Sequence, residues 1–149
     1  MLKITFGVIA GLVAWILLVT LSGLILRAAW PAYAAVAESM AFTLPMLVAR
    51  LAISAVTLLA AARITAFVAP KARTATLLLG AILLVAFVPI HINLWNRFPA
   101  WYHVTFLLTL IPLSVLGGRL GRMRRTGTGT TRFAEIAERE KEKSSHAPA

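Results

Sequence analysis

Four long apolar stretches occupy most of this chain of 149 residues and determine the solvent in which it folds. They span approximately residues 4–27, 44–67, 75–96 and 101–117. A helix needs about 20 predominantly apolar residues to cross a hydrocarbon core of about 30 Å, and it satisfies its own backbone hydrogen bonds there. The pattern therefore predicts an all-α fold, an integral membrane four-helix bundle with four transmembrane helices.

The first stretch is too long for the core of a secretory signal. Lys3 gives it a basic start, and residues 32–34 read Ala-Tyr-Ala, which is typical of a cleavage site. A signal core has about 7–15 apolar residues, however, whereas the whole of residues 4–26 is free of charge. We expect this segment to be a retained transmembrane helix.

The composition excludes several kinds of chemistry. The chain has no Cys and no Asp, and its carboxylates are Glu38 and a group of glutamates beyond residue 134. Thiolate chemistry, disulfide exchange and a two-carboxylate metal site inside the membrane are therefore excluded. The first helix also lacks the glutamate that small multidrug exporters need, and the Arg/Asn/Glu-rich motif of membrane glutathione transferases is absent. We expect no enzymatic activity and no cofactor.

Basic residues are distributed unequally between the two ends of the predicted helices. One end carries Lys3, Arg63, Lys71, Arg73, Arg119, Arg122, Arg124 and Arg125. The other end carries Arg27, Arg50 and Arg97. Because cytoplasmic flanks of membrane helices collect Lys and Arg, this bias predicts that both termini and the second connection are cytoplasmic. We expect a multi-pass protein of the bacterial inner (cytoplasmic) membrane, with its first and third connections in the periplasm.

The sequence changes character after the fourth helix. The glycine-rich residues 117–121 are expected to end that helix, because glycine is common just beyond helix C-termini. The chain then divides into a transmembrane domain, residues 1–121, and a flexible, basic and charged cytoplasmic tail, residues 122–149. Within the tail, residues 131–143 place Glu and Arg four positions apart and predict a short cytoplasmic helix.

Arg50 is the sharpest candidate for a functional residue. It lies about a turn and a half inside the second helix, and Ser54, Thr57 and Ala61 share its helical face. Ionisable residues within a membrane usually face the bundle interior or a wet cavity. One interpretation is a binding site for an anion or a lipid headgroup. The other is that Arg50 pairs with Glu38, the only carboxylate on that side, or extends to the interface.

The third connection holds the densest group of polar and aromatic residues in the chain. His91 and His103 flank it, and Asn93 and Asn96 are candidate uncharged hydrogen-bonding members. Two histidines on adjacent helices could ligate haem or a metal ion. If the chain has a ligand site, we expect it here.

The threonines of the fourth helix argue against a paired role for the histidines. Thr105 and Thr109 predict the inward face of that helix, and His103 lies on the side opposite to Thr105. Convergence of His103 with His91 is therefore not expected. We predict two interfacial histidines bonded to backbone or water, and no metal site.

Two further features indicate helix packing and lipid contact. Gly7-x-x-x-Gly11 in the first helix allows another helix to approach closely, either within the bundle or in a dimer. The candidate contacts for anionic lipids just beyond the fourth helix are Arg119, Arg122, Arg124 and Arg125. No aromatic residues interleave this basic group, so we expect no nucleic-acid partner.

Three functions remain open from the sequence. The first is a non-enzymatic accessory, assembly or interaction partner of a membrane complex, or a homo-oligomer. The second is a ligand-binding or haem-binding redox bundle that uses Arg50, His91 and His103. The third is a transporter of a small anion or lipid through the face that carries Arg50.

Overall fold

The structure is a computed structural model that describes the backbone of residues 2–145 and the side chains of residues 2–122. Its elements are α1 (Leu2–Ala29), α2 (Pro31–Val36), α3 (Leu44–Val68), α4 (Ala72–Asn93) and α5 (Ala100–Ser145). Four segments are long and apolar enough to cross a membrane, namely α1, α3, α4 and Ala100–Arg122 of α5. The prediction of an all-α chain with four membrane-length helices is confirmed for the described residues.

Prolines mark the beginnings of three of the helices. Pro31 lies in the first turn of α2, Pro45 lies in the first turn of α3, and Pro99 directly precedes α5. Proline suits these positions because the first amides of a helix have no intrahelical acceptor. Thr43 is the residue that flanks α3, but its side chain makes no capping hydrogen bond. The fixed backbone angle of proline is therefore the clearest start signal for α3.

The four long helices pack into one bundle in which α3 and α5 form the most extensive pair. α3 also lies against α1 and α4, and α4 in turn contacts α5 and α1. The main apolar core between these helices consists of Leu58, Ala62, Leu79, Leu83, Phe106 and Leu110. Large apolar side chains also cover the outward faces of the helices, which suits a hydrocarbon surrounding.

Small residues allow α1 to approach α3 closely. A Cβ atom on Gly7 would lie 2.7 Å from the Cβ of Ala69, at the end of α3. A Cβ atom on Gly11 would overlap the hydroxyl of Thr65. Both glycines are buried in this contact. The Gly7-x-x-x-Gly11 motif therefore serves packing within the bundle, which is one of the two roles predicted for it.

The helix end predicted at residues 117–121 is wrong. α5 continues through these glycines without a break and ends at Ser145. A Cβ atom on Gly117 would lie 2.7 Å from the carbonyl oxygen of Leu59, and one on Gly118 would lie 2.7 Å from Cγ2 of Thr76. The glycines thus let α5 pack against α3 and α4, and this close approach is a use of glycine that requires no helix terminus.

The same continuity changes the interpretation of the predicted tail. Residues 131–143 belong to α5 and do not form a separate short helix. The backbone of residues 122–130, the part of the tail that was expected to be flexible, is helical as well. The predicted division between a transmembrane domain and a tail at residue 121 therefore falls inside one helix.

Candidate functional site

Four helices bring polar and aromatic side chains together at one end of the bundle. Tyr33 comes from α2, Arg50 from the second turn of α3, and His91 from the last turn of α4. Tyr102 and His103 come from the first turn of α5. They meet because α3 and α5 begin, and α4 ends, at the same end of the bundle. We call this group, together with Phe42 and Phe98 of the two connections, the Arg-His cluster.

The guanidinium of Arg50 is held by two tyrosine hydroxyls. Its Nη1 donates to Oη of Tyr33 at 2.6 Å, and its Nε makes a longer contact of 3.5 Å to Oη of Tyr102. The guanidinium carbon lies 4.8 Å from the centre of the Phe42 ring, within cation–π range. Arg50 therefore points into the cluster and has an ordered set of neutral partners.

Aromatic rings pack against the two tyrosines that bind Arg50. Tyr33 stacks on Phe42 with ring centres 5.0 Å apart, and Phe42 stacks on Phe98 at 6.0 Å. Phe98 in turn lies 5.3 Å from Tyr102. Tyr33, Phe98 and Tyr102 are each buried. Because each ring is fixed by its neighbour, the two hydroxyls that bind Arg50 are fixed in position as well.

The predicted pairing of Arg50 with Glu38 is wrong. The hydrogen bonds of Arg50 go to Tyr33 and Tyr102, and Glu38 lies exposed in the connection between α2 and α3. Glu38 is also the only carboxylate between residues 2 and 122. The positive charge of Arg50 is therefore not balanced by a protein carboxylate in the part of the chain whose side chains the structure describes.

His91 and His103 form a buried pair next to this guanidinium site. Their Nδ1 atoms lie 2.7 Å apart, and the two rings are almost perpendicular. His91 is 6% exposed and His103 is fully buried. One Nδ1 must donate and the other must accept, so the two neutral imidazoles are opposite tautomers. Tyr102 connects the pair to Arg50, because its ring stacks on His91 with centres 6.1 Å apart.

The expectation that the two histidines do not converge is wrong, because it rested on the threonines of α5. Thr105 is exposed, and the hydroxyl of Thr109 donates to the carbonyl oxygens of Thr105 and Phe106 in its own helix. A threonine bonded in this way needs no partner in the bundle and does not mark an inward face. The buried face of α5 instead runs through His103, Phe106 and Leu110.

One atom of the pair has an unusual environment. Nε2 of His103 is buried and has no hydrogen-bond partner among the described side chains. Trp95 stacks on the His103 ring with centres 5.0 Å apart, and Phe98 lies at 6.0 Å. A bare nitrogen lone pair is easier to bury than an N–H group without an acceptor. We therefore assign the Nδ1 proton to His103 and the Nε2 proton to His91.

The spacing of the pair is that of a hydrogen bond and does not fit shared metal ligation. Two imidazole nitrogens on one tetrahedral Zn²⁺ would lie about 3.3 Å apart, given Zn–N bonds of about 2.0–2.1 Å. Haem iron bound by both rings would have to fit between nitrogens that are 2.7 Å apart. The residues with described side chains also contain no group of three or more His, Cys, Asp or Glu that could hold a metal ion.

The remaining predicted site residues lie outside the cluster. Asn93 and Asn96 are exposed at the end of α4 and in the connection that follows. Arg119 and Arg122 are exposed on α5 at the opposite end of the bundle. The side chains of two predicted lipid contacts fall outside the described residues, namely Arg124 and Arg125.

The sequence interpretation missed the two tyrosines as site residues. Tyr33 and Tyr102 lie near the ends of apolar stretches, where aromatic rings commonly lie at headgroup level and need no further role. The sequence nevertheless contained a signal for their role. A bundle that buries an arginine and has almost no carboxylates must supply neutral oxygen atoms as hydrogen-bond acceptors. Tyr33 and Tyr102 are the only tyrosines in the chain, and both fall at the Arg50 end.

The comparisons with known protein families, with curated proteins and with solved structures found no match for this chain. The proposals below therefore rest on the geometry of the Arg-His cluster and of the bundle.

Proposed function

We propose that this protein is a non-enzymatic integral membrane protein of the bacterial inner membrane that binds a small soluble anion at Arg50. The observation that carries the proposal is that the guanidinium of Arg50 is bonded to two neutral hydroxyls and, among the side chains of residues 2–122, to no carboxylate. An arginine kept inside a bundle usually has a partner or serves a ligand pathway. An anion from outside the protein would supply the missing negative charge.

The geometry of Arg50 suits recognition of an oxyanion. A guanidinium has five N–H donors in a planar fork, and the bonds found here use Nε and one hydrogen of Nη1. Donors on Nη1 and Nη2 are thereby left for a ligand. Planar forks of this kind bind phosphate and carboxylate through two parallel hydrogen bonds. Phosphate-like and carboxylate-like anions are therefore the proposed ligand class.

The histidine pair supports the site without being part of a reaction. The bond between His91 and His103 joins the last turn of α4 to the first turn of α5. Tyr102, which lies next to His103 in sequence, is thereby held against His91 and in reach of Arg50. The cluster contains no thiol and no carboxylate to serve as nucleophile or as second acid, which favours binding over catalysis.

The α3 face that continues from Arg50 toward the middle of the bundle has no room for an anion to pass, which favours a binding site over a transport pathway. The cavity beside Ser54, between α3 and α5, measures only about 10 Å³ and is lined mainly by apolar side chains such as Leu58 and Leu110. That volume is at the lower limit for one water molecule. Further along the same face, Ala61 is fully buried. We therefore propose that the anion enters and leaves from one side only, which the charge bias identifies as the periplasmic side.

Thermal unfolding in detergent tests this proposal with inorganic phosphate, sulfate and glycerol phosphate as probes. A ligand at 100 times its dissociation constant stabilises the folded state by about 2.7 kcal/mol, or about 5–10 °C in melting temperature. We expect such a rise for at least one anion with the wild-type chain. Tyr33→Phe should reduce it, because the ring stays on Phe42 while the hydroxyl that positions Arg50 is lost.

The controls separate a specific site from general charge effects. Arg50→Lys keeps the charge but loses the fork, so we expect the anion-dependent rise to shrink strongly. Arg97→Gln removes an exposed arginine at the same end of the bundle and should leave the rise unchanged. Equal loss in Arg97→Gln and Arg50→Lys would contradict a site at Arg50.

A second candidate function, partner binding, is favoured by the length of α5. A helix of 46 residues extends about 69 Å at about 1.5 Å per residue, which is more than twice the hydrocarbon thickness. α5 therefore continues well beyond its candidate span, Ala100–Arg122, as expected of an arm that docks on another protein. Under this proposal, deletion of residues 131–149 leaves membrane insertion intact but removes a co-purifying partner. Unchanged co-purification would count against the arm.

A further inference from the structure

A groove lies at the end of the bundle opposite to Arg50. The first turn of α1 forms one wall, and the α3–α4 connection and the first turns of α4 form the other. Its volume is about 670 Å³, large enough for a ligand of many atoms. The lining residues are Leu2, Lys3, Ile4, Thr5, Pro70, Lys71, Thr74 and Leu78.

The groove is lined partly by positively charged side chains and partly by apolar side chains. Lys3 and Lys71 bring two ammonium groups to the same groove, one from each wall. Both lysines are exposed, and the structure describes no carboxylate side chain at this end of the bundle. Leu2 and Ile4 flank Lys3 with apolar surface, and Leu78 lies about two helical turns along α4 from Lys71. Such a combination fits a molecule with an anionic head and an apolar body.

The position of the groove identifies the source of such a molecule. α1 and α4 both have the length and composition of membrane spans, and the groove lies where both begin. Lysines at the end of a span lie at headgroup level, while the leucine walls continue toward the hydrocarbon. A lipid from the surrounding leaflet can therefore enter sideways, head at the lysines and acyl chain along Leu78.

We propose that this groove binds one anionic phospholipid, with its phosphate between Lys3 and Lys71 and an acyl chain against Leu78. The site differs from Arg50 in location and in ligand, because the two lie at opposite ends of α4. It also differs from the exposed arginines of the same end, Arg63 and Arg73, which do not line the groove.

Native mass spectrometry of the full chain in detergent tests the proposal, with phosphatidylglycerol and phosphatidylcholine of equal acyl chains as probes. We expect one tightly bound phosphatidylglycerol per chain. A lysine near anionic headgroups changes binding about fivefold, so Lys3→Ala/Lys71→Ala should weaken phosphatidylglycerol binding about 30-fold. Phosphatidylcholine binding should change little. The matched control, Arg63→Ala/Arg73→Ala, removes the same charge outside the groove and should retain most of the binding.

Two further variants test whether the lipid binds in the groove itself. One distinguishes the groove from a general attraction to positive charge, and the other distinguishes it from the Arg50 site. Leu78→Trp fills the apolar part of the groove without changing the charge and should displace the bound lipid. Arg50→Gln should leave lipid retention unchanged, so a failure of the anion proposal at Arg50 does not affect this result. Inorganic phosphate in millimolar excess should not compete, because it lacks the apolar body.

The proposal is overturned by three results. Equal losses in the lysine and arginine double variants would indicate only a general basic surface. Full binding in Leu78→Trp would remove the groove from the interaction. Displacement of the lipid by inorganic phosphate would make free phosphate the ligand.

Discussion

At the residue scale, the contact between His91 and His103 makes a testable energetic prediction. Within residues 2–122, the Nδ1 atom of each imidazole has the Nδ1 atom of the other as its hydrogen-bond partner. Replacing one histidine by Phe leaves a buried polar nitrogen without a partner, at a cost of about 1–3 kcal/mol. Replacing both removes the polar atoms together. We therefore expect His91→Phe/His103→Phe to lose less free energy of unfolding than the sum of the two single variants.

A double-mutant cycle measured by denaturation in mixed micelles gives this coupling directly. We expect a coupling free energy of about 0.5–3 kcal/mol between the two positions. Phe67→Leu, at an exposed ring near the opposite end of the bundle, serves as the control and should show no coupling to His91. Additive losses in the histidine cycle would mean that the two rings do not bond to each other.

Single residues also show why the sequence predicted only part of the site. Arg50, His91 and His103 were identified because ionisable groups are conspicuous in an apolar chain. Their arrangement was not predictable, because Thr109 imitates an inward polar residue while bonding to its own helix. Glu38 was considered as one possible partner of Arg50 on charge alone, whereas the structure gives Arg50 two hydroxyl partners.

At the element scale, the space around Gly117 in α5 and Gly23 in α1 predicts opposite effects of their substitution by alanine. Gly117→Ala would place its Cβ 2.7 Å from the carbonyl oxygen of Leu59 and 2.8 Å from the Cβ of Ala62. Since a backbone atom cannot rotate away, α5 must shift, and such overpacking typically costs about 1–3 kcal/mol. Gly23→Ala meets nothing within 4 Å and should stabilise α1 by up to about 1 kcal/mol.

Melting temperatures of the two variants in the same detergent test this packing. Gly117→Ala should melt below the wild type, and Gly23→Ala should melt at or above it. If Gly117→Ala were as stable as Gly23→Ala, the close approach of α5 to α3 would be wrong.

Helix number followed directly from hydropathy, whereas the end of α5 did not. Runs of about 20 apolar residues have few alternatives in a membrane, so α1, α3 and α4 begin and end within a few residues of their predicted bounds. The glycine pair at positions 117 and 118 is compatible with either a helix end or a close helix–helix contact. The choice depends on Leu59 and Thr76, which are distant in sequence and adjacent only in the folded bundle.

At the scale of the whole molecule, the distribution of Lys and Arg predicts the orientation in the membrane. The end with Lys71 and Arg73 is expected in the cytoplasm, and the end with Arg50 in the periplasm. Because the chain has no Cys, single cysteines report orientation without background. Ser39→Cys should react with an impermeant maleimide in intact cells, and Thr74→Cys should react only after the membrane is opened. The reverse pattern would invert the orientation and place the anion site in the cytoplasm.

The central claim is that Arg50 binds an anion which the protein itself does not supply. Isothermal titration of inorganic phosphate into the purified protein, beside Arg50→Gln and Arg97→Gln, tests it most directly. We predict saturable binding of one phosphate per chain for the wild type and for Arg97→Gln, with binding lost in a folded Arg50→Gln. Absence of binding to the wild type, or equal binding to Arg50→Gln, would contradict the claim.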